Sequence, residues 1–360
     1  MILSFLLLFQ CLLMTVSGVT FLDYPDFFII GAMKSGTTTL NKLLTDNPLI
    51  CGEGEKEKHF FDKSSYITDY QKAHDRYEAE FLDCKKNQLT IDASPDYINT
   101  EEVPERIHES YPPAAFDKKR FILILREPIA RHFSEYQMRL RVCIDNQASA
   151  EEEKPKSKSK MSEEDLEEAE YRAERLARNC KQIAYNYYPG VHLSSLKIMT
   201  FFEYIHSPWG KREVSRGHFK QHIANWLKFV RRDQMYIVNF STLIKNTTAV
   251  YDGILGFLGL TPPSRTAPGA HPVRLPDPGY KGKNHSYDSF AYLDCPSYER
   301  LSRYYSKTNA GLLEYINKGS GNRSRFEPDF QPFAPYPCVG KRGPNEDDFM
   351  AGGEDEYDGN

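Results

Sequence analysis

Phe27-Phe28-Ile29-Ile30 is a short, unbroken apolar run that stops at Gly31. Four consecutive apolar residues leave no side for water, so the run reads as a strand buried on both faces of a parallel sheet. A turn rich in glycine and threonine follows, Gly31-Ala-Met-Lys-Ser-Gly-Thr-Thr-Thr39, and then Leu40, Leu43 and Leu44 at helical spacing. Parallel strands require crossover connections, usually helical, so this opening unit constrains everything after it. Phe121-Ile-Leu-Ile-Leu125 is a second buried run and Tyr236-Ile-Val-Asn-Phe240 a third. Ile223, Trp226, Leu227 and Val230 mark one face of a helix ahead of the third. Strands alternating with helices predict an α/β chain with three layers around a central, mostly parallel sheet.

The turn at 31–39 has the chemistry of an anion cradle. It leaves a buried strand and opens a helix, where backbone N–H groups point outward and the helix dipole favours negative charge. Gly31 and Gly36 let it close tightly, Lys34 supplies a point charge, and Ser35, Thr37, Thr38 and Thr39 supply hydroxyls. A nucleoside-triphosphatase loop needs Gly-Lys followed by Ser or Thr. Here Thr37 stands where that lysine would be, and the lysine has moved forward to 34. After the second strand comes Arg126-Glu-Pro-Ile-Ala-Arg-His-Phe-Ser134-Glu-Tyr136. An arginine fork with a serine hydroxyl eight residues on suits a terminal phosphate. Arg131 reads either as a further ligand or as a structural residue.

These stretches resemble the PAPS-dependent sulfotransferases (PAPS is 3′-phosphoadenylyl sulfate). In that family Lys-x-Gly-Thr-Thr binds the 5′-phosphosulfate, and the arginine and serine of R-[DE]-P-x-x-R-x-x-S-x-Y bind the 3′-phosphate. Lys281-Gly282-Lys283 resembles the basic loop that closes over the nucleotide. The resemblance implies a P-loop-like fold, PAPS as co-substrate, and no metal. Within the superfamily it points to heparan sulfate 3-O-sulfotransferases and to the sulfotransferase half of N-deacetylase/N-sulfotransferases. Glu57-Lys-His-Phe-Phe-Asp62 resembles the E-x-H-F-F-D of the 3-O enzymes, and Val103-Pro-Glu-Arg106, His222-Ile-Ala-Asn-Trp226 and Phe257-Leu-Gly-Leu260 also have counterparts. One stretch departs: the 3-O enzymes carry a lysine in Glu-Lys-Thr-Pro-x-Tyr, whereas this chain reads Asp92-Ala-Ser-Pro-Asp-Tyr97. Heparan-type specificity therefore does not carry over with the fold.

The resemblance implies that Glu57 is the base that deprotonates the acceptor, with His59 orienting it or contacting the sulfuryl group. Lys34 would neutralise charge on the bridging oxygen. Glu53 and Glu55 are alternative bases if the alignment slips. Asp92, Asp96 and Tyr97 read either as neighbours of the acceptor cleft or as surface caps. The Trp226 face reads as helix packing, and Tyr280 is a candidate for stacking on adenine. The implied acceptor is a carbohydrate, in particular a polysaccharide resembling a glycosaminoglycan. A protein tyrosine, a small alcohol, or a non-catalytic glycan-binding role are the alternatives. A P-loop kinase would share the cradle but not its lysine position.

Net charge is −4 over 360 residues, which predicts no nucleic-acid partner. Residues 2–19 contain no charge and read as a leader ending near 18, either a cleaved signal peptide or an uncleaved anchor. That uncleaved anchor would be the chain's sole membrane contact; oligomeric state is left open. Beyond the leader stand Cys51, Cys84, Cys143, Cys180, Cys295 and Cys338, an even set whose pairing the sequence leaves open. With sequons at Asn239, Asn246, Asn284 and Asn322, they predict a disulfide-bonded glycoprotein of the secretory pathway, in the Golgi or secreted. The catalytic domain is expected over 26–318, interrupted by a charged surface insertion at 145–180. A Pro/Gly-rich acidic tail, extended or disordered, is expected over 319–360.

Overall fold

The computed structural model describes residues 21–52, 57–152, 177–188, 195–262, 293–319, 321–325, 327–335 and 337–338, with backbone alone at 65, 145–152 and 319. The strands are β1 (Phe27–Gly31), β2 (Ile50–Cys51), β3 (Leu89–Asp92), β4 (Arg120–Leu125) and β5 (Met235–Asn239). The principal helices are α1 (Thr37–Thr45), α2 (Tyr70–Ala79), α3 (Pro128–Glu152), α4 (Phe201–His206), α5 (Pro208–Ser215), α6 (Phe219–Trp226), α7 (Phe240–Lys245), α8 (Thr247–Phe257) and α9 (Cys295–Thr308).

The five strands form one sheet in the order β2-β3-β1-β4-β5. The pairings of β1 with β3, β1 with β4 and β2 with β3 are all parallel, with Phe27 opposite both Ile91 and Arg120. This is the α/β sheet predicted from the apolar runs. Its third predicted strand begins one residue earlier, at Met235, and ends at Asn239. The Asn239 side chain accepts from Ser241 N–H at 2.9 Å, starting α7 and drawing Phe240 out of the strand. The helix predicted through Val230 spans only Phe219–Trp226.

The chain divides into two compact units. The described residues of the first fall within 21–124, 222–262 and 316–330, and they hold the sheet. On one face, Phe27, Ile29, Ile91, Ile122 and Ile124 pack with Leu40 and Leu44 of α1 and with Ile254 and Leu255 of α8. On the other, Phe28 stacks on Phe121 at 5.3 Å between ring centroids, and the fully buried Trp226 meets Phe121 edge-on. Burying such side chains contributes roughly 1.5–3 kcal/mol each. Trp226 is thereby a packing residue. The Cys51–Cys84 disulfide joins β2 to the segment before β3.

The described residues of the tail expected to be extended or disordered over 319–360 form no helix or strand beyond Gly319, and are packed at points up to Cys338. In the first unit Glu327 accepts from both terminal nitrogens of the fully buried Arg232, at 2.6 and 2.9 Å. Phe330 is buried there, and Asn317 bonds its N–H and its carbonyl.

The described residues of the second unit fall within 125–221, 293–315 and 331–338. Phe133, Tyr136 and Leu140 of α3 pack with Phe201, Tyr204, Val214, Leu301 and Tyr305. Helix α3 continues to Glu152, so the insertion expected to begin as a loop at 145 starts inside a helix. Cys143 is bonded to Cys180, closing the insertion at its base, and Cys295 to Cys338. No helix among the described residues is long and apolar enough to cross a membrane, and the leader lies outside them.

Candidate active site

Strand β1 delivers the chain into the cradle, and Ala32 N–H donates to Ile124 O of β4 at 2.8 Å. Three residues in it have positive φ, Gly31 at 152°, Lys34 at 68° and Gly36 at 89°. Gly36 is the N-cap of α1, has no side chain with which to cap it, and is followed by a first turn without acids. The positive end of α1 is therefore not neutralised by its own first turn. A Cβ on Gly36 would come within 2.8 Å of the Phe240 ring, so both conformation and space require glycine. Ser35 is fully buried and its Oγ has no hydrogen-bond partner among the described residues. An unsatisfied buried hydroxyl costs about 1–3 kcal/mol, a penalty that an anionic ligand in the cradle would remove. Thr37 is buried, Lys34 and Thr39 half-buried, and Thr38 exposed.

A Cβ on Gly31 would meet Ile98 Cγ2 at 2.5 Å and Pro95 O at 2.9 Å, so the cradle closes against the segment that follows β3. That segment also holds the turn carrying Glu57 and His59. Lys34, Glu57 (φ 65°) and His59 (φ 52°) are the three non-glycine residues with positive φ among those described. Left-handed backbone at such residues costs of order 1–3 kcal/mol each and persists where surroundings enforce it. For the turn at Glu57 and His59 the enforcement is a set of hydrogen bonds. His59 N–H donates to Ser94 Oγ at 3.0 Å, and Phe60 N–H to Tyr97 OH at 3.0 Å. Ser94 and Tyr97 in turn donate to the two oxygens of Asp92, at 2.7 and 2.8 Å, and Tyr77 donates to the second at 2.8 Å. Asp92 and Tyr97 are thus neither cleft residues nor surface caps. Both are fully buried, and burial pushes the Asp92 carboxyl up while the hydroxyl donors oppose the rise.

His59 Nδ1 lies 2.8 Å from Asp62 Oδ2, and its Nε2 lies 3.7 Å from Glu57 Oε2, an ion-pair separation rather than a hydrogen bond. The two carboxylates, Asp62 first and Glu57 second, raise the imidazole pKa to about 10 against the opposing pull of burial. His59 is consequently an imidazolium at neutral pH. The Glu57 side chain remains 42% exposed, so a substrate can reach it.

In the second unit Arg126 is half-buried just before α3, and Ser134 is half-buried in that helix. The Glu127 carboxylate accepts from Ile129 and Ala130 N–H at 3.1 and 2.6 Å, so α3, unlike α1, is capped by its own chain. Arg131 is fully buried and donates through Nη2 to Glu213 O at 2.8 Å. Lys281, Gly282, Lys283, Tyr280, Glu53 and Glu55 lie outside the described residues. No group of His, Cys, Asp or Glu among the described residues could hold a metal ion.

The sulfotransferase domain model matches residues 24–267, more than half of the chain. Heparan sulfate glucosamine 3-O-sulfotransferase 5 of Mus musculus is 26% identical over 238 residues, which are 66% of this chain and 54% of the relative. The chain thus spans about half the length of such relatives. Heparan sulfate glucosamine 3-O-sulfotransferase 3B1 of Mus musculus is 32% identical over 34% of this chain and 29% of its own. The membrane-associated sulfotransferase kil1 of Dictyostelium discoideum is 31% identical over 31% of this chain and 22% of its own. A solved sulfotransferase from Alicyclobacillus acidocaldarius shares the fold with a TM-score of 0.50 at 19% identity, covering 82% of this chain and 96% of that one. With a parallel five-stranded sheet, the cradle after β1 and a domain match over most of its length, this chain belongs to the PAPS-dependent sulfotransferase family.

Proposed function

We propose that this chain transfers a sulfuryl group from PAPS to a hydroxyl or amine of a carbohydrate, in particular a polysaccharide. The observation that carries this reading is backbone strain confined, outside glycine, to Lys34, Glu57 and His59 among the described residues. Those are the residues the chemistry requires. Strain of this kind is retained where a site must be preorganised.

The residues fit the donor. The uncapped start of α1, the buried Ser35 hydroxyl and Lys34 suit the 5′-phosphosulfate. Arg126 and Ser134 are assigned to the 3′-phosphate, and Lys281, Gly282 and Lys283 to a loop over the nucleotide. When bound, PAPS supplies the sulfuryl group and the adenosine bisphosphate leaving group. Glu57 takes the proton of the acceptor hydroxyl, making its oxygen a competent nucleophile. Lys34 places positive charge where the leaving oxygen becomes anionic. His59 stays cationic, orients the Glu57 carboxylate, and offers further positive charge to sulfuryl oxygens.

Heparan-type relatives favour a carbohydrate acceptor, while Ala93, where the family resemblance implies a lysine, argues for a different subsite charge. We assign the protein to the secretory pathway. Three disulfides suit an oxidising compartment, and the sequon residues Asn246 and Asn322 are exposed. A leader over 1–18 and a catalytic domain from 26 to 318 complete the proposed organisation, to which Glu327 and Cys338 add packed contacts beyond 318. The test is transfer of radiolabelled sulfate from PAPS to a panel of polysaccharides, peptides and small alcohols. Incorporation into polysaccharide supports the reading. Incorporation into tyrosine peptides or small alcohols alone, or into none, overturns it.

A further inference from the structure

Two hydroxyls meet the N–H groups of the turn that carries Glu57 and His59. Ser94 Oγ takes His59 N–H at 3.0 Å, and Tyr97 OH takes Phe60 N–H at 3.0 Å. A hydroxyl can rotate, and a rotating hydroxyl holds its neighbour loosely. Here neither is at liberty to do so. Ser94 commits its proton to Asp92 Oδ1 at 2.7 Å, and Tyr97 commits its own to Asp92 Oδ2 at 2.8 Å. With both protons directed at one carboxylate, the lone pairs of both oxygens are aimed at the turn. Tyr77 fills a further position on Asp92 Oδ2, and the carboxylate is fully buried at the end of β3, an element of the rigid sheet. A single side chain on the scaffold thus fixes two consecutive N–H groups of a turn whose Glu57 and His59 are both left-handed.

We propose that Asp92 is a positioning residue for sulfuryl transfer, acting through Ser94 and Tyr97 to hold Glu57 and His59 in their reactive orientation. It touches neither donor nor acceptor. Its action is transmitted by hydroxyl orientation, and removing either hydroxyl lets the turn relax toward ordinary backbone angles. This rests on Glu57 being the base.

The experiment compares Ser94→Ala and Tyr97→Phe, each of which deletes one oxygen from the full chain. Melting temperature, PAPS dissociation constant and kcat are measured, alone and combined with Glu57→Gln. Expected are folded proteins with PAPS affinity within about twofold of the parent and kcat lowered at least about tenfold. On the Glu57→Gln background, Ser94→Ala should add almost nothing, because both changes disable one device. Unchanged kcat in both single variants, or multiplicative losses with Glu57→Gln, would overturn the proposal. So would loss of the folded state in both, which would assign the network to stability alone. Ordinary turnover in Glu57→Gln by itself would instead overturn the base assignment.

Discussion

The His59 ring is held between two carboxylates, with Nδ1 2.8 Å from Asp62 and Nε2 3.7 Å from Glu57. Two acids flanking one imidazole keep it charged, and the pKa of about 10 follows with Asp62 as the largest cause. A raised histidine pKa adds stability that is fully present below the unfolded value of 6.5 and is lost as pH rises through about 10. In this chain His59 should remain an imidazolium throughout the neutral range. Asp62→Asn should lower its pKa toward 6.5 and move the alkaline limb of the rate profile down with it. NMR titration of the His59 ring reads the first, and kcat against pH the second. A ring that titrates near 6.5 in the parent would remove the ion-pair account.

Ser35 should behave unlike an ordinary buried serine. Its Oγ has no partner among the described residues, so Ser35→Ala removes an unsatisfied group and should leave ligand-free stability equal or higher, by up to about 1–3 kcal/mol. The same change should weaken PAPS binding and shrink the rise in melting temperature that PAPS produces. Calorimetric melts with and without PAPS check both signs. A destabilised ligand-free variant with unaltered PAPS binding would show that the hydroxyl serves the fold.

Arg126→Ala and Ser134→Ala should discriminate between nucleotides. Loss of a charge-assisted contact costs roughly 1.5–3 kcal/mol, or about 10- to 150-fold in affinity. That loss should fall on PAPS and spare adenylyl sulfate, which lacks the 3′-phosphate. Equal losses for both nucleotides in a binding titration would remove the assignment.

Glu327 should matter to folding although it lies in a Pro/Gly-rich stretch. Its partner Arg232 is fully buried, so Glu327→Ala leaves a buried guanidinium without its carboxylate. Breaking such a pair costs about 3–5 kcal/mol. Denaturant unfolding of the variant measures it, and an unchanged midpoint would show that the segment contributes nothing.

The sheet was legible because its strands are buried on both faces, so β1 and β4 announce themselves as apolar runs and β5 through Tyr236-Ile-Val238. Strands β2 and β3 were not, since two residues are too few for a pattern and Leu89-Thr-Ile-Asp92 ends on an acid. That acid is the centre of the network beneath Glu57 and His59. An isolated Asp followed two residues later by Ser resembles any turn, and only burial shows what it does. Composition did not reveal that the tail packs, because it reports the chain's average, whereas one buried Glu327 and one disulfide tie down its described residues up to Cys338. Of the sequons, Asn239 caps α7 from a buried position, something a tripeptide pattern cannot reveal.

The measurement closest to the central claim is Glu57→Gln. The amide keeps the shape of the side chain and its capacity to accept a hydrogen bond, but it cannot take a proton at neutral pH. Steady-state transfer from PAPS, with the PAPS dissociation constant measured in parallel, should show kcat reduced about 10²-fold or more and donor affinity nearly unchanged. Ordinary turnover in that variant would contradict the account.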